Sequence, residues 1–376
     1  MIQTNISSPF KGTLSQQLFT EIDRQCDCAC LEPDLFISCL PAHPIFCYVE
    51  VTPVCNNLCL GCGNIFRADR TSPPLSSAEW QTVLTSLQPF VHYLKLTGGE
   101  PTLHPEFETI IRTVQEKDIP FALFTNARWN APERLIALLQ STTQCRGLLV
   151  SLHGATAASH DAFTGVMGSF SDTCSNIKRA AFAGLDVRTS TVITKYNWQE
   201  IDTIATLSQS LGAHCAVFNR YIGPPLPELE PSKEQLQHAI GVIEYMRRNL
   251  TNNQQSMVEF GNHIPYCLYP SSSAACLAGI AYCTVDPWGN VRPCNHAPLI
   301  CGNLLVQSLE EIWRSETMEA WRKMIPMECA GCALYQTCHG GCRAEVMLRN
   351  ASNYYSLTNK SHRSTLPTEA RVLQIG

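Results

Sequence analysis

A chain of 376 residues is long enough for two or three domains with a full hydrophobic core. With 45% hydrophobic residues, 16% charged residues and a net charge of −5, the composition excludes a disordered chain and an electrostatic grip on nucleic acid. No apolar run reaches the roughly 18 residues of a membrane span, and the opening MIQTNISSPFKG lacks the basic and apolar regions of a signal peptide, so neither membrane nor disulfides are expected and the expected compartment is the reducing cytoplasm.

The first 45 residues (1–45) form a Cys-rich extension. In Cys26-Asp-Cys28-Ala-Cys30 the alternation puts three thiols on one face of any strand; with Cys39 and Cys47 they read as buried or solvent-facing thiols, metal binding being the alternative. From 46 to 230 short β-branched or aromatic runs alternate with longer amphipathic stretches, the pattern of βαβ units and a parallel sheet. Strands are predicted at 46–53, 92–97, 120–126, 147–152, 186–194 and 214–219, and helices at 76–88, 105–117, 131–140, 158–183 and 198–211. Ser76 with Glu79 announces the first helix, and Pro105 and Pro132 stand at helix starts. Six units are fewer than the eight of a closed TIM barrel, so the expected fold is α/β, a partial (β/α)6 TIM-like barrel or an open sheet. After the Pro-rich break GPPLPELEP at 223–231, residues 231–258 are expected as a linker helix, 259–350 as a second domain rich in Gly, Pro and Cys whose order depends on metal, and 351–376 as a polar tail.

Cysteine is the abnormal component. Twenty of 376 residues are Cys, in a chain too long to need staples: five in 26–47, three in 55–62, nine in 267–342 and three scattered, Cys145, Cys174 and Cys215, which read as small buried apolar residues. Cys55-x3-Cys59-x2-Cys62 lies on the loop leaving the first strand, at the edge where parallel α/β folds place active sites. Three thiolates on one short loop can hold three corners of a [4Fe–4S] cubane and leave one iron open; a zinc knuckle lacking a ligand, or plain buried cysteines, is the alternative. After the second strand comes Gly98-Gly99-Glu100-Pro101, two glycines that let a ligand approach the backbone and a carboxylate at the lip.

Together with Phe124-Thr125-Asn126, Ser151-Leu152-His153-Gly154 and His160-Asp161, these motifs make the chain resemble the radical S-adenosylmethionine (SAM) superfamily over residues 46–345. The resemblance implies that Cys55, Cys59 and Cys62 bind a [4Fe–4S] cluster whose open iron is chelated by SAM. It further implies that Gly98, Gly99 and Glu100 hold the methionine ammonium, and that Ser151 and Asn126 line the ribose and carboxylate region. Two positions depart from the family pattern. Gly61 stands where an aromatic residue often packs near adenine, leaving that contact to backbone and apolar neighbours such as Ile65. Thr164 stands where relatives carry an Arg.

The nine later cysteines resemble the SPASM subgroup, whose peptide- and protein-modifying members carry two auxiliary [4Fe–4S] clusters. The resemblance assigns Cys276, Cys283, Cys294 and Cys342 to the first and Cys329, Cys332 and Cys338 to the second, whose last expected cysteine is missing from 343–376; the second then takes a substitute ligand, with His362, His339, Cys301 and Cys267 as candidates, keeps an open iron, or is not a cubane, so that one or two auxiliary clusters are expected. A zinc ribbon is the alternative that spacing alone allows. Asp286-Pro-Trp-Gly289-Asn reads as a hairpin turn. The resemblance implies reductive cleavage of SAM to a 5′-deoxyadenosyl radical that abstracts a substrate hydrogen, with a flavodoxin or ferredoxin as electron donor. The substrate it favours is a ribosomally made peptide; a tetrapyrrole of the haem pathway or a sulfatase is the alternative. Some 45 residues before the barrel are too few for a fused leader-binding domain, so peptide recognition is expected to use a separate protein or an exposed sheet edge.

Overall fold

The structure, a computed structural model, describes residues 41–349 except 224, 250, 253–254, 270–275 and 339. Cys26, Cys28, Cys30, Cys39, His339, His362 and the tail therefore lie outside the described residues.

All six predicted strands form, as β1 (Phe46–Glu50), β2 (Tyr93–Thr97), β3 (Phe121–Thr125), β4 (Cys145–Ser151), β5 (Val187–Ile193) and β6 (Cys215–Arg220). They pair in parallel in sequence order, each neighbour joined by a helical crossover. The crossovers are α1 (Ser77–Leu87), α2 (Phe107–Glu116), α3 (Pro132–Ser141), α4 (Ala157–Thr164), α5 (Ser169–Phe182) and α6 (Ile201–Ser210). Ser76 caps α1 in a reciprocal capping box with Glu79, an arrangement that contributes about 1 kcal/mol, and Pro132 opens α3. The single helix expected over 158–183 is two. Gly165 (φ 68°) ends α4 and Gly168 (φ 84°) starts α5, because the chain must reverse there through left-handed backbone.

The sheet does not stop at the expected boundary near 259. After α7 (Lys233–Asn249), strand β7 (Val258–Phe260) pairs in parallel with β6, and β8 (Tyr282–Val285) pairs in parallel with β1 at the opposite edge. β9 (Asn290–Arg292) and β10 (Gly302–Asn303) continue that edge antiparallel, so the ten strands run in one open order with no pairing between its two ends among the described residues. The Asp286–Asn290 segment is the predicted hairpin turn: the Asp286 carboxylate accepts the N–H groups of Trp288 and Asn290, and Gly289 has φ 83°.

Strand alternation sorts the core. Cys47, Val49, Leu94, Leu96, Phe121 and Leu123 face the helices and pack on Trp80, Leu84 and Ile110, whereas Phe46, Tyr48, Lys95 and Phe124 face inward. Lys95 Nζ sits 4.4 Å from the Phe46 ring centre and 4.7 Å from that of Tyr48, and donates to Tyr48 Oη at 3.2 Å. Glu50 and Arg292, both fully buried, pair across the junction between β1 and β9's end of the sheet.

Candidate functional site

The carboxyl ends of β1 to β5 open into a cleft of about 210 Å³, partly open to solvent. The loop after β1 and the loop after β2 form one of its walls and are zipped together: Gly99 N–H donates to Thr52 O and Glu100 N–H to Val54 O, both at 2.7 Å. A Cβ on Gly99 would lie 2.2 Å from Val54 O, and one on Gly98 2.6 Å from Thr52 O, so the approach requires glycine at both positions. On its other side the cysteine loop is held by α4, with Leu58 N–H donating to Thr164 O at 2.8 Å and Leu60 N–H to Phe163 O at 2.9 Å.

This double anchorage turns Cys55, Cys59 and Cys62 into the cleft. Their thiols interact electrostatically, and the Cys55 sulfur receives Asn57 N–H at 3.4 Å and Asn126 Nδ2 at 3.8 Å. Burial pushes the Cys59 thiol up to about 12 and the Cys55 thiol up to about 11, with the Arg70 guanidinium opposing both. Iron would have to displace those protons. Three convergent thiols, N–H donors aimed at sulfur and a nearby cation to balance thiolate charge fit an iron–sulfur cluster. Among the described residues no three His, Cys, Asp or Glu gather about a single point as one metal ion would need, whereas a cubane spreads its ligands over separate corners.

Gly98, Gly99, Asn126 and Ser151 line the cleft as the sequence led us to expect; Glu100 does not. Its side chain is wholly buried behind the wall, where Oε1 accepts from Thr125 Oγ1 at 2.8 Å and Thr102 Oγ1 at 2.7 Å, and Oε2 accepts Asn126 N–H at 2.7 Å. Burial raises its pKa and these bonds oppose the rise. Glu100 thus holds the β2 loop against the end of β3, and with it Asn126, whose amide bonds Asn56 Oδ1 at 2.7 Å within the cysteine loop.

Gly61 has a physical explanation that sequence could not supply. A Cβ there would lie 2.7 Å from Leu229 Cδ2, 3.2 Å from Phe163 and 3.3 Å from Tyr221, so side chains from three distant segments already fill the space an aromatic residue would occupy. Phe163 lines the cleft beside His153, the two rings 4.1 Å apart between centres. Thr164 is fully buried and bonded to Ser169 Oγ at 2.6 Å, out of reach of any cleft ligand. The cation on the cleft wall is instead Arg70, bonded to Asn57 O; eight residues beyond Cys62 and in no motif, it gave no signal in the sequence.

The later cysteines divide differently from the expectation. Cys276, Cys294 and Cys342 come together around half-buried Tyr282, whose pKa is raised first by desolvation and then by these thiols. Cys283 is not among them. One residue along β8 from Tyr282, it faces the helix side of the sheet, fully buried, with its sulfur 3.8 Å from that of Cys47 on β1 and near that of Cys301. Of the four thiols expected together, Cys276, Cys283, Cys294 and Cys342, the structure gathers three and sets Cys283 apart. Half-buried His296, unremarked in the sequence, stands between the two centres: its Nδ1 is 3.9 Å from Cys294 Sγ, and its Nε2 would lie 2.5 Å from a Cβ on Gly63 beside Cys62. Cys215 is buried as expected, while Cys145 and Cys174 are half-buried.

Residues 49–207 match the Radical SAM superfamily and residues 276–342 the SPASM iron–sulfur cluster-binding domain. The chain is 27% identical over 327 residues to the mycofactocin maturase MftC of Mycobacterium ulcerans, covering 80% of this chain and 83% of that protein. It is 27% identical to the AdoMet-dependent heme synthase of Methanosarcina barkeri, covering 79% and 90%. Among solved structures it resembles Streptococcus suis SuiB bound to its precursor peptide SuiA, with a TM-score of 0.68 and 16% identity over 93% of this chain and 81% of that one, a likeness of fold. No described helix is long and apolar enough to cross a membrane. With the cysteine loop and its glycine-walled cleft following β1 and a second thiol-rich unit joined to the sheet beside that strand, the chain is an enzyme that carries a radical SAM domain and a SPASM iron–sulfur cluster-binding domain.

Proposed function

We propose that this enzyme modifies a ribosomally made peptide, with Cys55, Cys59 and Cys62 holding the SAM-binding cluster. When bound, the cluster and SAM supply reductive cleavage of the sulfonium and a carbon radical able to take hydrogen from an unactivated C–H bond, the electron coming from a flavodoxin or ferredoxin. The chain's own residues do the positioning. Gly98 and Gly99 let the cofactor lie against backbone, Arg70 offers a guanidinium for its carboxylate, Ser151 and Asn126 offer polar contacts, and Phe163 offers an apolar face for adenine. The inward aromatic layer beneath, Phe46, Tyr48, Phe124 and Tyr282, excludes water from the radical's surroundings.

The observation that carries the peptide reading is the charge of the cleft. Among its described lining residues Arg70 is the single permanent cation, and a haem-pathway tetrapyrrole with several carboxylates would need more. Exposed Leu58 and Leu60 on the cysteine loop add apolar surface suited to peptide side chains. The mycofactocin maturase and the peptide-bound SuiB support the same class. The heme synthase relative keeps the tetrapyrrole as the second reading.

The test is coexpression with short peptides encoded beside its gene, followed by mass spectrometry of each peptide. Loss of hydrogen from one peptide, dependent on Cys55, Cys59 and Cys62, is expected. Unchanged peptides together with SAM-dependent consumption of a carboxylated tetrapyrrole would overturn the reading.

A further inference from the structure

The inward face of the sheet carries a cation without a counter-charge. Along β2, Leu94 and Leu96 pack against the helices, so Lys95 and Thr97 share the opposite, inward face. Thr97 lines the cleft, and Lys95, two residues earlier, lies one pleat deeper, about 7 Å back along the strand. Other charges on this side of the sheet are paired: Arg188 on β5 meets Glu259 on β7 at 3.4 Å, and Arg292 meets Glu50. Among the described residues no carboxylate forms an ion pair with Lys95.

The ammonium of Lys95 stands instead in a box of aromatic rings. Its Nζ is 4.4 Å from the ring centre of Phe46, 4.7 Å from that of Tyr48 and 5.9 Å from that of Phe124, and Tyr48 Oη accepts one of its N–H groups at 3.2 Å. Tyr282 backs the box, its ring 4.9 Å from Phe46 and 5.5 Å from Tyr48 between centres. Phe124 also lines the cleft, so box and cleft share a wall, and Lys95 is only half-buried. An ammonium has three N–H donors, and the Tyr48 hydroxyl uses one. Ring faces attract the charge, but a cation drawn this far out of water is balanced only by an anion. An apolar side chain of similar length, such as Met, would fill the same space without that desolvation cost.

We infer that Lys95 is a substrate-specificity residue: its ammonium takes one carboxylate of the substrate on the inward face below the cleft, while Phe46, Tyr48 and Phe124 hold the apolar part of the residue that bears it. This rests on the peptide reading above and supplies an anchor for it. The carboxylates of a peptide are those of Asp, Glu and the carboxyl terminus, and a lysine, being a compact point charge, suits one such group. A peptide held there presents a fixed neighbour of its acidic residue to the cleft, so Lys95 helps set which C–H bond is taken.

The test uses the full reconstituted chain and, as probe, the peptide that the wild-type protein modifies. The same peptide is made with each Asp changed to Asn, each Glu to Gln and the carboxyl terminus amidated, one change at a time. Lys95→Met is expected to raise KM for the parent peptide about 10- to 100-fold, with a smaller change in kcat and a matching loss in equilibrium peptide binding, and Lys95→Arg to recover most of it. One of the neutralised peptides should show the same loss with the wild-type protein and no further loss with K95M. SAM affinity equal to that of the wild type, by equilibrium dialysis, serves as the check on folding. Parent peptide bound equally by wild type and K95M would overturn the assignment and leave the peptide reading in place. Every neutralised peptide bound by wild type as tightly as the parent would do the same without any variant. Weaker SAM binding in K95M with peptide binding unchanged would assign Lys95 to the cofactor and overturn the inference too. A wild-type protein that modifies no peptide would overturn it together with the reading on which it rests.

Discussion

The carboxylate of Glu100 accepts the backbone N–H of Asn126 at 2.7 Å from a position with no solvent exposure, so the second βα loop is latched to the third from behind the cleft wall. Glu100→Gln places an amide N–H₂ among donors that need an acceptor. We expect a loss of about 1–3 kcal/mol in chemical denaturation and weaker SAM binding by equilibrium dialysis, with iron content unchanged. An E100Q protein as stable as wild type would show that the latch is not needed.

Replacing Cys55, Cys59 and Cys62 together by Ala removes the thiols of the cleft and none of those around Tyr282. SAM cleavage should vanish, with no 5′-deoxyadenosine formed by dithionite-reduced protein, while iron and sulfide persist in the SPASM-type unit. Deoxyadenosine from the triple variant would refute the assignment of that loop.

Restoring the aromatic residue usual in relatives should harm this protein. In Gly61→Tyr the first side-chain carbon already meets Leu229 at 2.7 Å, with Phe163 and Tyr221 close behind. A cost of about 1–3 kcal/mol is expected from overpacking, partly recovered in the double variant with Leu229→Ala. Thermal midpoints of the two variants decide it.

Cys283→Ala should leave iron and sulfide per chain unchanged, because that sulfur faces Cys47 and the helix-side core. The variant should lose only about 1 kcal/mol, the effect of one small buried group. Loss of a cluster's worth of iron would return Cys283 to the ligand set.

Acid should destabilise the fold before carboxylates titrate fully. Burial pushes His160 down to about 4, with the Asp161 carboxylate opposing and the Arg128 guanidinium reinforcing the drop, and His153 beside it is pushed down too. A base whose folded pKa lies below its unfolded value of 6.5 contributes stability that is present above 6.5 and lost as pH falls from there toward 4. His160→Asn, which keeps an acceptor for His153 N–H, should flatten the fall of the thermal midpoint over that window. An unchanged slope would place the titration elsewhere.

Much of this protein was legible in its sequence because the signals are local. The alternation that gave β1 to β6 is a property of consecutive residues, and Cys55-x3-Cys59-x2-Cys62 brings its thiols together on one loop whatever the rest of the chain does. The division of 158–183 into two helices was missed because a glycine inside a helical pattern announces a break only when its φ is known.

What tertiary structure alone decided concerns pairs far apart in the chain. That Cys283 faces Cys47, 236 residues away, follows from the register Cys47↔Cys283 in a parallel pairing at the sheet edge, and a register one residue over would have sent it to Tyr282's side instead. His263 comes to Cys338 only because β7 joins β6, and Gly61 is glycine only because Phe163, Tyr221 and Leu229 converge on it. Spacing within a loop fixes which thiols can act together, but which face of a sheet they share is set by strand pairing over long separations, and no local pattern encodes that.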